Sequence, residues 1–177
     1  MVILTTERLL LRHFHLMDRD AMLRVFGDAE VMRFGDGVQT SEWVEVWLSI
    51  CLERYYKTWG FGPYAVVEQS TWEVIGYCGL FYFSDVHGKP EVEIGYRLRR
   101  STWGKGYATE AAQAIRDYAF HTLSIRRLIA LIDPANTASL RVAEKIGMQY
   151  ESEVMFEGYT HPDHVYVVDK SRFEAGA

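Results

Sequence analysis

Residues 97–110 combine cations, glycines and the start of a helical pattern. The small residues Gly104, Gly106 and Ala108 let backbone N–H groups approach a ligand closely, and a helix N-terminus adds a partial positive charge. These features together predict a cradle for a pyrophosphate group. The local cations that would favour a phosphate-rich ligand are Arg97, Arg99, Arg100 and Lys105. The alternative is a glycine-containing loop with a solvated basic rim.

Two other phosphate-binding motifs do not fit these residues. A P-loop needs Ser or Thr directly after its lysine, but Lys105 is followed by Gly106. The dinucleotide fingerprint would begin at Gly104 and would require glycine or alanine where the chain has Thr109. Both motifs are therefore excluded by residue identity.

The elements that must position this segment follow from the hydrophobic periodicity. Alternating or continuously apolar runs predict strands at residues 4–13, 64–68, 74–83, 91–99, 127–132, 150–157 and 164–168. Helical spacing predicts helices at residues 18–26, 41 to about 58, 105 to about 123 and 137–146. A run of strands followed by strand–helix alternation indicates an α/β or α+β sheet protein.

Composition and charge narrow the class of protein. The 177 residues contain neither a repeat nor a linker-like tract, so we expect one domain over residues 1–177. A formal net charge of −5 argues against a nucleic-acid binder, whose surface is usually basic. Cys51 and Cys78 lack CxxC spacing and have apolar neighbours, which predicts core thiols rather than a disulfide or a zinc site. The six histidines also lack zinc-ligand spacing, so no metal is expected.

Targeting signals give only a default location. The N-terminus has no basic head followed by an apolar signal core, and no apolar run is long enough to span a bilayer. We therefore expect a cytoplasmic protein that does not bind a membrane.

Several segments resemble the GNAT superfamily of N-acetyltransferases. Residues 104–111, Gly-Lys-Gly-Tyr-Ala-Thr-Glu-Ala, are similar to its acetyl-CoA signature, although Trp103 stands where that signature has Gln or Arg. Residues 136–148 resemble the second signature of the superfamily. Residues 6–12 and the pair Asp163-His164 resemble the branch that contains ribosomal-protein alanine N-acetyltransferases. These four matches occur in order along the whole chain.

The resemblance implies a fold and a donor site. The fold is a single domain with a mixed, mostly antiparallel, curved sheet of about seven strands, helices on both faces, and a V-shaped splay between the central strands. Acetyl-CoA would lie in that V, and the acceptor amine would approach from the other side. The implied contacts with acetyl-CoA are Tyr96, Arg97, Leu98, Arg99, Trp103, Gly104, Lys105, Gly106, Tyr107, Ala108, Thr109, Asn136 and Ser139.

The resemblance also guides the choice of catalytic residues. Glu93, on the strand expected beside the thioester, is the first candidate for a general base acting through a water; the alternative is a solvent-facing carboxylate. Glu157 is the second candidate base. Ser139 is the candidate for protonating the thiolate, or else a hydroxyl on the helix surface; Tyr159 is a further candidate, because many relatives use a tyrosine as the acid. Asn136 would bond the pantetheine arm, cap the following helix, or do both.

The acceptor side is less defined by the sequence. Candidate acceptor contacts are Phe34, Asp36, Trp47 and Tyr159, but the first interpretation of Trp47, four residues after Trp43, is a core residue. The predicted function is acetyl transfer from acetyl-CoA to a primary amine, with a protein or peptide N-terminal α-amine as the first choice, by a monomer or homodimer. The alternatives are a small-molecule amine (a polyamine, amino acid or antibiotic), a non-catalytic acyl-CoA sensor, and a nucleotide-binding regulator.

Overall fold

The computed structural model describes residues 1–175, which form one mixed sheet with helices on both faces. Its eight strands lie in the order β1-β2-β3-β4-β5-β6-β8-β7. The strands are β1 Val2–Thr5, β2 Leu9–Arg12, β3 Pro63–Glu68, β4 Glu73–Val86, β5 Lys89–Leu98, β6 Arg127–Ile132, β7 Gln149–Val154 and β8 Asp163–Asp169. Neighbouring strands are antiparallel except β5 and β6.

Five α-helices connect or flank the strands. They are α1 Arg19–Phe26, α2 Ser41–Ile50, α3 Tyr107–His121, α4 Thr137–Lys145 and α5 Lys170–Ala175. A 3₁₀ turn, Leu16–Asp18, precedes α1, and π-helical turns, Cys51–Trp59, continue α2. Thr40 caps α2 by accepting the N–H of Trp43 at 3.2 Å.

Side-chain alternation on β4 separates two hydrophobic layers. Cys78 and Leu80 pack with the apolar face of α3, whereas Tyr77 and Phe81 pack toward α1 and α2 on the opposite face. Cys51 and Cys78 are free thiols and fully buried, which confirms the prediction that they are core residues. The helices on both faces of the sheet agree with the fold that the sequence predicted.

The sheet opens between β5 and β6. These two parallel strands are registered at a single pair, Glu93 with Ile129, whereas β6 pairs with β8 along its whole length. Two residues beyond that pair, the backbone N–H of Leu131 donates to Oε1 of the Glu93 side chain at 3.3 Å. A carboxylate therefore takes the place of the missing strand partner, and the strands form the predicted V.

Two predicted strands differ from the structure, and one helix was not predicted. The strand predicted over residues 4–13 is two strands, because Thr6 closes a turn through its backbone N–H and its hydroxyl, both bonded to Leu9. The sheet therefore has eight strands rather than about seven. Strand β7 ends at Val154, before Gly158 adopts a φ of 87°, so Glu157 lies in a loop rather than on a strand. Helix α5 was not predicted.

A buried ion pair fixes the start of α1 against β2. The carboxylate of Asp18 accepts two bonds from the Arg12 guanidinium, at 2.7 and 2.8 Å, and one from the N–H of His15 at 2.8 Å. Asp18 is 7% exposed. Its charge is therefore compensated entirely by these neighbours.

Replacing Asp18 with Ala should lower the free energy of unfolding by about 3 kcal/mol, because Arg12 and the His15 N–H lose their acceptor. Asp20→Ala is the matched control, since Asp20 is exposed and pairs only with Arg19. Its effect should stay within about 0.5 kcal/mol. Denaturant unfolding followed by circular dichroism measures both variants, and equal losses would contradict the assigned role of Asp18.

Candidate active site

The N-terminus of α3 presents unpaired backbone donors. Gly106 is its N-cap residue with a φ of 82°, and Gly104 has a φ of 75°, conformations that glycine adopts without strain. No side chain among residues 1–175 caps this helix. The first N–H groups of α3, beginning at Tyr107, are therefore free to bind an anion, and the helix dipole favours one. This arrangement fits the predicted pyrophosphate cradle.

The indole of Trp103 holds the loop that leads into α3. Its Nε1–H donates to the carbonyl of Leu98, the last residue of β5, at 2.8 Å. Thr102 closes the intervening turn by donating its hydroxyl to the carbonyl of Arg99 at 2.6 Å. The residue that departs from the family signature therefore positions the loop through the backbone of β5.

Thr6 and Arg8, in the turn between β1 and β2, fix the other side of the loop, and we call these two residues the strap. Glu110, in the first turn of α3, accepts the hydroxyl of Thr6 at 2.6 Å and the Nε–H of Arg8 at 2.7 Å. Arg8 also donates its backbone N–H to Glu110 at 2.9 Å and its Nη1–H to the carbonyl of Lys105 at 2.8 Å. The strap engages a carboxylate that would otherwise repel a bound phosphate.

The predicted cations do not all lie beside the cradle. Arg99 pairs with Glu73 at 2.8 Å, and Arg100 is exposed. The ammonium of Lys105 lies 4.0 Å from Glu68, which also accepts the hydroxyl of Tyr107 at 2.5 Å. Arg97 alternates to the opposite face of β5 from Tyr96 and Leu98. The basic rim expected from the sequence is therefore divided between two sides of the sheet.

A tyrosine–serine pair lies on the α3–α4 side of the V. Tyr96 packs against the core on that side and donates its hydroxyl to Oγ of Ser139 at 3.2 Å. Burial raises the pKa of Tyr96 to about 12, so the phenol is protonated at neutral pH. Asn136 accepts the N–H of Ser139 at 3.2 Å and caps α4, which leaves its amide N–H₂ group for another partner.

The family resemblance implied a role for Tyr96 only through its backbone. The alternation of Ile94, Tyr96 and Leu98 could have placed its ring on the core side, but nothing local links it to Ser139, which lies 43 residues away. Nor does any local pattern reveal that Thr6 and Arg8 hold Glu110. Both contacts depend on how distant segments pack.

Glu93 lies on the opposite face of β5 from Tyr96 and is partly exposed. Burial raises its pKa to about 7, although the Leu131 N–H and the charge of Arg97 work in the opposite direction. A carboxyl with this pKa is present both as acid and as carboxylate near neutral pH. It is therefore suited to accept a proton during a reaction.

Further side chains gather on the Glu93 side of the sheet, which we call the acceptor face. Burial raises the pKa of Tyr159, Asp36 and Asp163 raise it further, and Arg97 opposes them. Tyr159, from the β7–β8 loop, is therefore within electrostatic reach of Glu93 and of Asp36, from the α1–α2 loop.

The remaining predicted residues occupy different environments. Trp47 packs between α1 and β4, with its ring 4.9 Å from Phe26 and 5.4 Å from Tyr77, so it is largely a core residue at the base of the acceptor face. Phe34 is partly buried beneath the guanidinium of Arg33. Glu157 is exposed, and no bond or ion pair to it occurs within the described chain. The same residues contain no group of three or more His, Cys, Asp or Glu side chains that could hold a metal ion.

The fold and these residues match known acetyltransferases. The family model for the acetyltransferase (GNAT) domain matches residues 8–149. YkkB of Bacillus subtilis strain 168 is 38% identical over 156 residues, which cover 85% of this chain and 87% of that protein. The N-acetyltransferase p20 of Bacillus licheniformis is 34% identical over 154 residues, with 84% and 83% coverage. The protein described here belongs to the GNAT family and is an acetyl-CoA-dependent N-acetyltransferase.

Solved structures agree with this assignment. The GNAT-family acetyltransferase of Bacillus anthracis superposes with a TM-score of 0.80 at 31% identity, over 97% of this chain and 99% of that one. The ribosomal-protein-S5-alanine acetyltransferase of Vibrio fischeri has a TM-score of 0.78 at 18% identity, over 96% of each chain, which shows a shared fold. The spermidine N(1)-acetyltransferase of Escherichia coli strain K12 is 32% identical over 85 residues, 48% of this chain and 45% of that protein.

The GNAT fold binds acetyl-CoA, and a coenzyme A complex occurs among the structures with this fold. The residues around the α3 N-terminus fit such a ligand, since the uncapped helix can receive its pyrophosphate. None of the helices described within residues 1–175 is long and apolar enough to cross a membrane.

Arg8→Ala should weaken acetyl-CoA binding about tenfold, because it frees the Glu110 charge and removes the bond to the Lys105 carbonyl. Arg126→Ala, which removes an exposed arginine outside this strap, is the control. Calorimetric titration with acetyl-CoA gives both dissociation constants. An unchanged Kd in folded Arg8→Ala would rule out the role given to the strap.

Proposed function

We propose that this enzyme acetylates a primary amine bound on the acceptor face, with a peptide or protein N-terminal α-amine as the leading acceptor. The observation that carries the proposal is the position of Glu93. Its carboxyl group lies at the opening of the V, is held by the Leu131 N–H, and has a pKa of about 7. A general base in this position reaches an amine that approaches from the acceptor face.

Donor binding follows from the backbone around the V. Beyond Glu93, the edge of β5 that faces β6 has no registered partner strand, so the backbone of residues 96–98, apart from the Leu98 carbonyl that Trp103 engages, is available to the pantetheine arm. The N–H groups of residues 104–109 would hold the pyrophosphate. The free amide N–H₂ group of Asn136 would donate to the pantetheine. Acetyl-CoA supplies the activated thioester when it is bound.

Glu93 and the Tyr96–Ser139 pair account for the two proton transfers that accompany acetyl transfer. The neutral amine nitrogen forms a bond to the acetyl carbonyl carbon, the carbon–sulfur bond breaks, and the amine gives a proton to Glu93 through a water. The hydroxyl pair of Tyr96 and Ser139 protonates the departing thiolate from the opposite side of β5. Positioning both reactants in one cleft lowers the barrier by several kcal/mol, up to about 10.

The ionisation of the acceptor supports an α-amine. An α-amine has a pKa near about 8 and is partly neutral at pH 7, whereas a lysine amine, near about 10.4, is almost fully charged. A base with a pKa of about 7 is closer in pKa to an α-amine than to a lysine amine. The branch resemblance and the shared fold of the ribosomal-protein-S5-alanine acetyltransferase point the same way. The partial match to a spermidine acetyltransferase supports a small polyamine as the second candidate.

Calorimetric titration with acetyl-CoA, with NAD and ATP as controls, tests the donor site first. Saturable binding of acetyl-CoA alone supports it, and no binding by folded protein would contradict it. Release of free CoA in the presence of N-terminal peptides or spermidine then separates an enzyme from a non-catalytic acyl-CoA sensor. A sensor would bind acetyl-CoA but release no CoA with any amine.

Glu93→Gln should lower kcat about 10²-fold, because the amide cannot accept the proton. In the wild type, the carboxylate is populated above its pKa, so the pH profile of kcat should contain a rising limb centred at about 7, below the further rise that ionisation of an α-amine with a pKa of about 8 adds. Glu93→Gln should lose this limb. Glu157→Gln is the matched control and should keep both the wild-type kcat and its dependence on pH. Steady-state rates between pH 5.5 and 9, at roughly half-unit steps, measure these profiles.

Tyr96→Phe and Ser139→Ala should each lower kcat about 10- to 100-fold, because either change removes a hydroxyl from the pair that protonates the thiolate. The KM for acetyl-CoA should change much less, since the lost interaction belongs to the transition state. Steady-state kinetics with a saturating amine separates the two constants. Unchanged kcat in both variants would mean that the thiolate leaves without their help.

A further inference from the structure

Arg97 differs from every other arginine that the structure describes. Within residues 1–175 it is the one arginine that is not fully exposed and yet has neither an ion pair nor a hydrogen bond. The other partly buried arginines are paired, for example Arg99 with Glu73 and Arg127 with Glu91. A half-buried guanidinium without a partner keeps five donors for a ligand.

The surroundings of Arg97 hold it on the acceptor face. A Cβ placed on Gly35 would collide with its guanidinium, so the α1–α2 loop lies directly against the arginine. Tyr77 is its register partner on β4. The arginine is therefore confined between a loop and the sheet, which limits the entropy it would lose on binding a ligand.

On the acceptor face of β5, Gly95 lies between Arg97 and Glu93. Both residues lie on the same face of β5, four residues apart, a Cα separation of about 13 Å that two long side chains shorten. Between them, Gly95 has no side chain, and a Cβ there would lie 3.0 Å from the Phe81 ring and 3.7 Å from Oε2 of Glu93. The Phe81 ring therefore fills the space above Gly95, and a ligand that contacts both Glu93 and Arg97 must lie over this ring.

The nearby carboxylates do not neutralise Arg97. Asp36 and Asp163 lie close enough to influence Tyr159, as Arg97 does, but neither forms an ion pair with the arginine in the described chain. Asp133, whose charge raises the pKa of Asp163, is engaged by His161 at 3.3 Å. The acceptor face therefore has a carboxylate at one end and an available cation at the other.

We propose that Arg97 binds a carboxylate of the acceptor while Glu93 accepts a proton from the amine of the same acceptor. The acceptor class is an α-amine with a carboxylate a few bonds away: either a free amino acid, through its α-carboxylate, or a peptide whose first residues include Asp or Glu. This inference rests on the proposed function and narrows its acceptor. A planar guanidinium binds a carboxylate with two parallel bonds, and it repels the second ammonium of a polyamine.

Two matched pairs of acceptors test the proposal and distinguish the two sources of carboxylate. L-alanine is compared with L-alaninamide, and the amidated dipeptide Ala-Asp with amidated Ala-Asn, with every rate expressed per neutral amine because a carboxylate raises the pKa of the adjacent amine. Wild-type kcat/KM should favour the carboxylate member of at least one pair by about 10- to 100-fold. Spermidine serves as an acceptor without a carboxylate.

Variants of Arg97 identify the residue responsible for the preference. Arg97→Gln should abolish the preference by lowering kcat/KM for the carboxylate member alone, and Arg97→Lys should keep a reduced preference. Arg24→Gln, which removes an exposed arginine on α1, should keep it unchanged. Thermal unfolding of each variant checks that the fold is intact, and acetyl-CoA affinity checks that the donor site is intact.

The outcomes separate this inference from the proposed function. Equal rates within both pairs, or a preference that survives in Arg97→Gln, would overturn the role of Arg97. Acetylation of spermidine but of no carboxylate-bearing acceptor would overturn the inference and leave the proposed function standing. Binding of acetyl-CoA without acetylation of any of these amines would overturn both.

Discussion

The interruption of pairing between β5 and β6 is the constraint on which the site depends. A continuous parallel ladder would have satisfied the N–H of Leu131 with a backbone carbonyl, and it would have left no space between the strands. Instead the ladder is registered at a single pair, and Glu93 accepts that N–H at 3.3 Å. An unpaired N–H in a sheet interior costs about 1–3 kcal/mol, so the side chain removes a penalty that the opening would otherwise carry. The same carboxylate is thereby fixed beside the opening.

The two-residue period of β5 divides the work of the site between the faces of one strand. Tyr96, between Ile94 and Leu98, points to the α3–α4 side and contacts Ser139. Glu93 and Arg97 point to the acceptor face, with Gly95 between them. In the proposed mechanism, proton removal from the amine and proton delivery to the thiolate therefore occur on opposite sides of a rigid element. Insertion of one residue in β5 would exchange the two sides, which explains why a strand rather than a loop carries these groups.

Features with a local period were predictable from the sequence, and those that depend on packing between distant segments were not. The helical spacing of α3, the small residues at its start and the Asn136 cap each follow from neighbouring residues, and the structure has all three. The split of the first strand was missed, because its alternation continues through the turn that Thr6 closes. The contact of Arg8 with Glu110 spans 102 residues, and that of Tyr96 with Ser139 spans 43, so no periodic pattern records them. Arg97 was predicted as a ligand of the donor because of its place in the cationic segment, whereas strand alternation turns its side chain to the acceptor face.

The two cysteines have a consequence for how this enzyme tolerates its own product. Every acetyl transfer releases coenzyme A, a free thiol, which could exchange with protein thiols under oxidising conditions. Cys51 and Cys78 are fully buried, and burial raises the pKa of both thiols, so neither supplies an accessible thiolate at neutral pH. The protein should therefore accumulate product without forming mixed disulfides and without needing a reductant. A disulfide dye added during turnover would report the released coenzyme A with no background from the folded protein.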